Sequence, residues 1–516
     1  MLRKIDIRAA GRRAAAVGTF LALSVLSGCV SPEPAPPPEV DFRNPPVIES
    51  KNGVLEAELS IEYADNRIGS DRVRLRAYNG ATVGPTLRLR PGDLLKLHLV
   101  NRLPAMPGAH AGHNGGEHDV NVPHGFNTTN LHTHGLHVSP SGISDNVFLT
   151  IEPGQDQRYE IALHESHPGG TFWYHPHKHG SVAIQVGSGM SGALLVEGRI
   201  DRAPELQGVS EKIFVFQQIP YALGEDGIGR LEDYDSFGPL GWERSGRFTT
   251  INGLVQPLLE ARPGEVQRWR FIHAGLRETI MTRLVPCDAD WRPREGAVPV
   301  IQHEIAVDGI TRYSRADKAQ VELQPGYRSD VMLRLVEPGN YCLMDAATNA
   351  GLSLFARPEA TKLLAKVRVA GEPVSMPLPP ADLTAYAPLA PIEADEVTGK
   401  RSTEFNVVPQ LGKGFAFQVN GKVFDPDVVD ETLKLGAVEE WTLTSKFGSH
   451  PYHIHVNPFQ IVEGAEPVWR DTILVRSKQP VVMRTRYTRY TGKFVLHCHI
   501  LDHEDRGMMQ IIEVVP

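Results

Sequence analysis

Hydrophobic and polar residues alternate over many short runs of this chain. The run "TLRLRPGDLLKLHLVN", Thr86 to Asn101, is one example, and similar runs rich in β-branched residues recur with Gly and Pro between them. Alternation with a period of two places every second side chain on one face of a strand, and no long run shows the helical period. Many short strands between turn residues are typical of β-sandwich domains, so we expect an all-β fold.

One unit of the pattern recurs three times. The segments that begin near Asn79, Asn252 and Asn420 each run from an Asn-Gly turn through a strand to a second turn and another alternating strand. The three Asn-Gly pairs are 173 and 168 residues apart. Such regular spacing indicates copies of one module, so we predict three β-sandwich domains in tandem.

Breaks in the strand pattern indicate the domain boundaries. We predict domain 1 over residues 49–202, domain 2 over 203–372 and domain 3 over 395–516, with an Ala/Pro-rich linker at 373–394. A Gly- and His-rich stretch at 104–125 has no strand pattern and is predicted to be a loop.

The first residues have the features of an export signal. A basic leader precedes an apolar run that ends near Gly28 and is shorter than the ~20 residues of a membrane-spanning helix. The run ends in "LSGC", which resembles the lipobox of bacterial lipoproteins, where the chain is cut before the Cys and its thiol is acylated. We predict a signal peptide over 1–28 and a lipid anchor at Cys29. An ordinary cleavage site with a buried Cys is the alternative to the lipobox. The pair Arg12-Arg13 also fits loosely a twin-arginine signal, which exports folded proteins.

Residues 29–48 are rich in proline and are expected to form an extended tether. The formal net charge of −8 becomes −12 without residues 1–28, because five basic residues and one acidic residue are removed. An acidic surface without basic runs argues against nucleic acid and against charge-driven membrane binding. We predict an exported bacterial protein, monomeric, periplasmic or at the cell surface, which contacts the membrane only through Cys29.

Histidines occur in pairs that are two residues apart. For 21 histidines, random placement gives roughly one His-x-His pair, yet the chain has five. Residues two apart in a strand project to the same face, so each pair can offer two imidazoles to one metal site. Four pairs stand in matched contexts, "NLHTHGLHV", "FWYHPHKHG", "HPYHIHVNPF" and "HCHILDHEDRGMM": His132 and His134, His175 and His177, His453 and His455, His497 and His499.

The last motif places Cys498 between two histidines. On a strand these histidines share one face and Cys498 points to the other, so the tripeptide can serve two metal sites back to back. His450 lies three residues before His453, so in an extended segment its side chain points away from the face of His453 and His455. It therefore shares the face of Cys498. One thiolate, two imidazoles and a thioether are typical of a blue-copper site, whereas structural zinc favours a closed set without Met. The predicted set is His450, Cys498, His503 and Met508.

With these motifs the chain resembles the multicopper oxidases from about residue 50 to its end, and all four copper motifs of that family are present in order. The resemblance implies three cupredoxin-like Greek-key β-sandwich domains and four copper ions, with a trinuclear cluster between domains 1 and 3. Carried over by position, it assigns the type 1 copper to His450, Cys498, His503 and Met508, the type 2 copper to His132 and His453, and the type 3 pair to His134, His175, His177, His455, His497 and His499.

The family mechanism implies roles for three catalytic residues. A reducing substrate gives electrons one at a time to the type 1 copper, Cys498 passes them through its backbone to the adjacent histidines, and four transfers reduce O₂ to water. Asp145 and Glu504 are similar to acidic residues that supply protons in relatives. For each, a solvated loop carboxylate or an acceptor that orients an imidazole is the alternative.

We expect a laccase-like oxidase of phenols and aromatic amines. The alternative is a metallo-oxidase of cuprous or ferrous ions in periplasmic copper tolerance. Members specialised for cuprous ions often carry a Met-rich insertion, since thioethers bind that ion, but the ten Met here are scattered. The His-rich loop favours metal collection weakly. A non-catalytic cupredoxin repeat and a copper nitrite reductase fit less well, because the full ligand set and four matched His-x-His pairs are present.

Some Cys, His and Met residues fall outside these copper motifs. Cys287 and Cys342 are candidate disulfide partners in an oxidising compartment, although the sequence does not show that their backbones are close. His179 extends the second motif, but the family motif uses only its first two histidines. Met509 is expected in the core.

Overall fold

The computed structural model describes residues 39–106, 119–232, 248–350, 353, 357–411, 414–464 and 466–516. The predicted signal peptide, Cys29 with most of the tether, and the loop residues His110, His113 and His118 lie outside the described residues. Across the described part of the chain, no helix is both long and apolar enough for a membrane span.

Nearly all regular structure is β-strand, which confirms the predicted all-β class. The first strands are β1 (Val47–Glu49), β2 (Val54–Ile68), β3 (Asp71–Tyr78), β4 (Thr86–Leu89), β5 (Leu94–Asn101), β6 (His132–His134), β7 (Asp156–Ala162), β8 (Gly170–His175), β9 (Gly192–Val196), β10 (Ser210–Gln218), β11 (Ala222–Leu223) and β12 (Ile228–Arg230). The next strands are β13 (Thr249–Ile251), β14 (Leu258–Ala261), β15 (Val266–His273), β16 (Ile280–Cys287), β17 (Gln302–Val307), β18 (Ile310–Lys318), β19 (Val321–Leu323), β20 (Arg328–Arg334), β21 (Gly339–Asp345) and β22 (Lys362–Val369).

The remaining strands are β23 (Gly399–Gln410), β24 (Gly414–Val419), β25 (Glu431–Lys434), β26 (Val438–Ser445), β27 (His450–Ile454), β28 (Phe459–Ile461), β29 (Val468–Arg470), β30 (Thr472–Val475), β31 (Val481–Arg486), β32 (Gly492–Cys498) and β33 (Met509–Val515). The described residues contain two short α-helices, α1 (Val182–Gly187) and α2 (Leu501–Glu504). Single 3₁₀ turns occupy Ile200–Arg202, Pro204–Leu206, Thr384–Tyr386 and Ala394–Glu396.

The strands of the described residues form six sheets, which we group in three pairs. The first sheet pair has the strand orders β1-β4-β9-β8-β6 and β11-β12-β3-β2-β5-β7, the second has β13-β10-β15-β20-β17-β18 and β14-β22-β21-β16-β19, and the third has β24-β23-β26-β31-β28-β29 and β25-β33-β32-β27-β30. Strands β11 and β12 lie after residue 203, the predicted start of domain 2. They nevertheless belong to the first sheet pair, because β12 pairs with β3. The domain boundaries stay a prediction.

The three predicted Asn-Gly turns have the same local geometry. Asn79, Asn252 and Asn420 have φ of 50°, 55° and 51°, and the glycine after each is also left-handed. Two consecutive positive φ values are what a tight turn of this class requires, and Asn and Gly accept them at low cost. The side-chain oxygen of each Asn accepts a backbone N–H from β2, β10 or β23. The turn therefore closes the same corner of the module three times.

The same module position is buried in each pair. Leu97, Trp269 and Trp441 are each the fourth residue of β5, β15 and β26, and all three are at most 1% exposed. Strands β5, β15 and β26 each run parallel to the strand whose N–H donates to the Asn side chain. Hydrophobic burial at these equivalent positions contributes all three side chains to one large core cluster.

A disulfide joins Cys287 of β16 to Cys342 of β21, whose Cα atoms are 5.9 Å apart. The sequence left open whether the two backbones are close. They are close because β16 and β21 are paired in antiparallel register. The bond lies in the second sheet pair. Among the described cysteines, Cys498 alone has a free thiol.

Replacing both cysteines, Cys287→Ser with Cys342→Ser, should lower the free energy of unfolding by up to about 4 kcal/mol, since the cross-link restricts the unfolded chain. Urea unfolding of the double variant and of the reduced wild-type protein measures the loss. Copper content should not change, because neither residue contacts a predicted ligand. An unchanged unfolding midpoint after verified reduction would contradict a stabilising cross-link.

Candidate metal centres

The four predicted motifs lie on two pairs of neighbouring antiparallel strands. His132 of β6 is directly opposite His175 of β8, and His453 of β27 is opposite His497 of β32. The first motif is a full strand, but in the other three the second histidine follows the strand end. The backbone bends at His455 and His499, but the N–H of His455 still bonds to the Val495 carbonyl and that of His499 to the Pro451 carbonyl. The predicted same-face projection therefore survives past the strand ends.

The eight motif histidines of the first and third sheet pairs meet in one buried group. Each is at most 3% exposed. The rings of His132 and His455 stack at a centroid distance of 3.8 Å, and those of His134 and His453 stack at 3.8 Å. The members of this eight-imidazole group are His132, His134, His175, His177, His453, His455, His497 and His499.

Several members of the group have an acceptor on the outward ring nitrogen, whereas His455 Nδ1 and both ring nitrogens of His499 have none among the described residues. His132 Nδ1 lies 2.9 Å from Asp145 Oδ2, His175 Nδ1 lies 2.9 Å from the Pro176 carbonyl, and His453 Nδ1 lies 2.8 Å from the Asp471 carbonyl. The opposite nitrogens, His132 Nε2, His134 Nδ1, His175 Nε2 and His453 Nε2, are buried without a hydrogen-bond partner among the described residues. An acceptor on one nitrogen and a free lone pair on the other is the arrangement of a metal-binding histidine.

Three ring nitrogens converge within the group. His497 Nε2 lies 3.2 Å from His177 Nε2 and 3.3 Å from His455 Nε2. Imidazole nitrogens bound to one tetrahedral ion at about 2.0–2.1 Å stand roughly 3.3 Å apart. The spacing of these three nitrogens therefore fits a single metal ion.

Burial keeps these imidazoles neutral. It lowers the pKa of His177 and of His497 to about 4, and it lowers the pKa of His132, His134 and His453 well below the ordinary value. Neutral imidazole is the form that binds metals. The group is thus in a ligand-competent state near neutral pH.

The two predicted proton donors lie against this group. Asp145 contacts His132 and accepts hydrogen bonds from the N–H and hydroxyl of Thr133. Glu504 of α2 lies 3.4 Å from His177 Nδ1 and 3.0 Å from His497 Nδ1. Burial raises the pKa of each carboxyl to about 7. Neither is the solvated loop carboxylate that was the alternative, although both still contact imidazoles as acceptors would.

A second group forms on the other face of β32. Cys498 Sγ lies 3.4 Å from His450 Nδ1 and 3.9 Å from His503 Nδ1, and these two nitrogens are 3.4 Å apart. The other ring nitrogen of His450, Nε2, lies 3.0 Å from the Phe447 carbonyl, so Nδ1 is the nitrogen that faces Cys498 Sγ. We call these three residues the thiol group.

Met508 is held beside the thiol group by the backbone. Its carbonyl accepts the Cys498 N–H, its own N–H donates to the His503 carbonyl, and its side chain is buried. Burial raises the pKa of the Cys498 thiol, so the protein alone favours the protonated sulfur, and a metal ion would displace that proton. Thiolate, two imidazoles and a thioether suit copper better than zinc.

Sequence reasoning missed two buried Arg–Asp pairs around the groups. Arg328 of β20 binds Asp471, and Asp471 in turn lies 3.2 Å from His134 Nε2. Arg277 binds Asp502, the residue before His503 in the chain. Both arginines come from the second sheet pair, and sequence periodicity contains no signal for such distant partners.

The other histidines among the described residues belong to neither group. His179 contacts Asn121 and the ring of Phe424, as expected for a residue outside the ligand set. His137, His164 and His167 pack together, with His164 Nε2 3.2 Å from His137 Nδ1. Met509 is buried in a small core cluster.

Comparison with known proteins adds to this geometry. Two family profiles, both described as multicopper oxidase, match residues 117–201 and 392–516. The first range holds the first two histidine motifs and the second holds the other two together with Cys498. These are the segments that build both metal groups.

Curated relatives cover nearly the whole chain. A multicopper oxidase of Staphylococcus epidermidis is 24% identical over 90% of this chain and 88% of its own length. A laccase of Bacillus stratosphericus is 24% identical over 86% of this chain and 91% of its own length.

A solved structure shares the fold. The multicopper oxidase of Campylobacter jejuni, described as a metallo-oxidase, superposes with a TM-score of 0.72 at 22% identity over 92% of this chain and 96% of its own.

The fold and the two buried groups define an all-β protein of cupredoxin-like domains with the ligands of a copper enzyme. The matched profiles, the relatives and the solved structure support assignment of the chain to the multicopper oxidases, and so to oxidoreductases that use O₂.

Copper(II) should raise the thermal midpoint of the metal-free protein, because an ion that binds the folded chain stabilises it by mass action. Removing one converging imidazole in His455→Ala should reduce both the copper bound per chain and this increase. His303→Ala, which removes a histidine that pairs with Asp317, is the matched control. Equal copper uptake by the two variants would contradict the assignment of His455.

Proposed function

We propose that this chain is a laccase-like oxidase that couples four one-electron oxidations of phenol or aromatic amine donors to reduction of O₂ to water. The observation that carries the proposal is the tripeptide His497-Cys498-His499. Its cysteine belongs to the thiol group and its histidines to the eight-imidazole group. Electron entry and O₂ reduction would thus take place on opposite faces of one strand.

The proposed cofactor is four copper ions. His450, Cys498, His503 and Met508 would hold one ion of type 1, His132 and His453 one of type 2, and the other six histidines a type 3 pair. When bound, copper would supply one-electron redox chemistry at both centres. Cys498 shares a continuous backbone with His497 and His499, which provides a short covalent path between the two centres.

A surface cleft of about 690 Å³ supports access for O₂. Its lining includes His177, together with Lys178, Phe424 and Lys493. His177 is one of the three converging ligands, so the cleft leads from solvent to the edge of the eight-imidazole group.

Asp145 and Glu504 are the proposed proton carriers. Glu504 contacts two imidazoles and Asp145 contacts a third, so each is within reach of groups that surround the reacting oxygen. Reduction of O₂ to water consumes protons, and a carboxyl whose pKa lies at about 7 is able both to hold and to release a proton near neutral pH.

The surface near the thiol group favours an aromatic donor. The ring of Phe417 lies 4.5 Å from that of His503. Phe415, two residues earlier on the same face of β24, is 57% exposed, and Phe447, whose carbonyl contacts His450, is 64% exposed. Exposed rings at this position offer stacking surface to a phenol or aromatic amine.

The alternative is oxidation of cuprous or ferrous ions in periplasmic copper tolerance. The description of the Campylobacter jejuni protein as a metallo-oxidase and the His-rich stretch at 104–125 favour it. We further propose an exported monomer, periplasmic or at the cell surface, with an anchor at Cys29.

Oxygen uptake by the copper-loaded body, residues 40–516, should be faster with a simple phenol than with cuprous ion under matched conditions. A clear preference for cuprous ion would contradict the laccase proposal and move the function to metal oxidation. Uptake with neither donor, in protein shown to hold its copper, would contradict both.

Cys498→Ser is the control for electron entry. This variant should lose the blue absorption band of the thiol group and turnover with every donor, because the thiolate ligand is lost. Full oxidase activity in this variant would refute the covalent path through Cys498.

Glu504→Gln should lower turnover by about 10²-fold or more, because the amide keeps the shape but carries no acidic proton. Copper content and the blue band should stay at wild-type values, which separates loss of proton supply from loss of metal. Stopped-flow reoxidation of the reduced enzyme by O₂ measures the effect. Wild-type reoxidation would show that Glu504 only orients its imidazoles.

A further inference from the structure

Arg328 is a fully buried arginine in the second sheet pair, which contains none of the predicted copper ligands. All five of its N–H donors have acceptors. Nε donates to the Thr171 carbonyl, Nη1 donates to the Gly326 carbonyl and to Asp471 Oδ1, and Nη2 donates to the Asp308 carbonyl and to Asp471 Oδ2. A guanidinium satisfied in this way has one orientation only.

Asp471 stands between Arg328 and the eight-imidazole group. Its carboxylate oxygen Oδ1 lies 3.2 Å from His134 Nε2, and its backbone carbonyl lies 2.8 Å from His453 Nδ1. His134 and His453 are the stacked pair, with 9° between their ring planes. One residue thus engages the outward nitrogen of both rings, which leaves His134 Nδ1 and His453 Nε2 facing the group.

This arrangement depends on the bidentate contact between Arg328 and Asp471. The Asp471 side chain is 4% exposed. Because Nη1 and Nη2 of Arg328 each bind one carboxylate oxygen, the carboxylate is fixed with Oδ1 toward His134 Nε2.

Gly135, the residue after the first motif, leaves space for the pair. Its φ is +90°, and a Cβ there would collide with the Arg328 guanidinium, the Asp471 carboxylate and the Phe172 ring. The backbone that carries His134 therefore packs directly against the Arg–Asp pair.

We propose that Arg328 is a positioning residue for the eight-imidazole group: through Asp471 it sets which nitrogen of His134 and of His453 is presented to metal. Copper loading of that group thereby depends on the second sheet pair, which contributes none of the predicted ligands. This inference rests on the proposed copper set.

Asp471→Asn and Arg328→Lys, made in the full chain, test the role. Each should bind copper at the eight-imidazole group about 10–100-fold more weakly, the usual effect of losing a partner of a metal-binding histidine. The blue band of the thiol group should be retained. Copper per chain by metal analysis and the paramagnetic resonance signal of each copper type are the readouts. In Asp471→Asn, Asp308 still places a negative charge 3.9 Å from Arg328, so we expect this variant to fold. If Arg328→Lys does not fold, Asp471→Asn alone provides the test.

Arg270→Lys is the matched control. Arg270 is also buried in the second sheet pair and also donates to Thr171, but its hydrogen bonds within the described chain go to neither Asp471 nor an imidazole. It should lower the thermal midpoint of the metal-free protein without changing copper per chain. Wild-type copper content in Asp471→Asn, or equal copper loss in Arg270→Lys, would overturn the positioning role. A wild-type protein that loads no copper in the eight-imidazole group would instead overturn the proposed function, and this inference with it.

Discussion

The burial of eight imidazoles in one place is the constraint on which the rest of this structure depends. Polar groups removed from water need partners, and here the inward nitrogens of His132, His134, His175 and His453 have none within the described chain. The protein supplies acceptors for the outward nitrogens of these four rings, so their inward nitrogens are available to an ion. Unpartnered buried nitrogens lower the stability of the metal-free protein, and metal binding would restore it.

The position of Cys498 follows from the same constraint. Its neighbours, His497 and His499, must face the eight-imidazole group, so the strand period directs the sulfur to the opposite side, where His450 and His503 meet it. Antiparallel pairing places β27 beside β32, which brings His453 opposite His497. One strand pair thereby serves two centres and keeps their separation constant.

The second sheet pair has a structural role in both centres. Arg328 reaches Asp471 behind His134, and Arg277 reaches Asp502 next to His503. These are charge-assisted contacts made across sheet pairs in buried surroundings, where loss of one partner is costly. A module without predicted ligands therefore still affects the geometry of the eight-imidazole group and the thiol group.

The sequence by itself determined the strands, the Asn-Gly turns, the four histidine motifs and the opposite facing of Cys498. All of these depend on a period of two or on turn residues, which act over a few neighbouring positions. Only the tertiary structure decided that β6 and β8 meet β27 and β32, and that Asp471 and Arg328 stand behind the stacked rings. Such contacts join residues more than 100 positions apart, and no local pattern encodes them. The same reason left the Cys287–Cys342 pairing open until β16 and β21 were seen side by side.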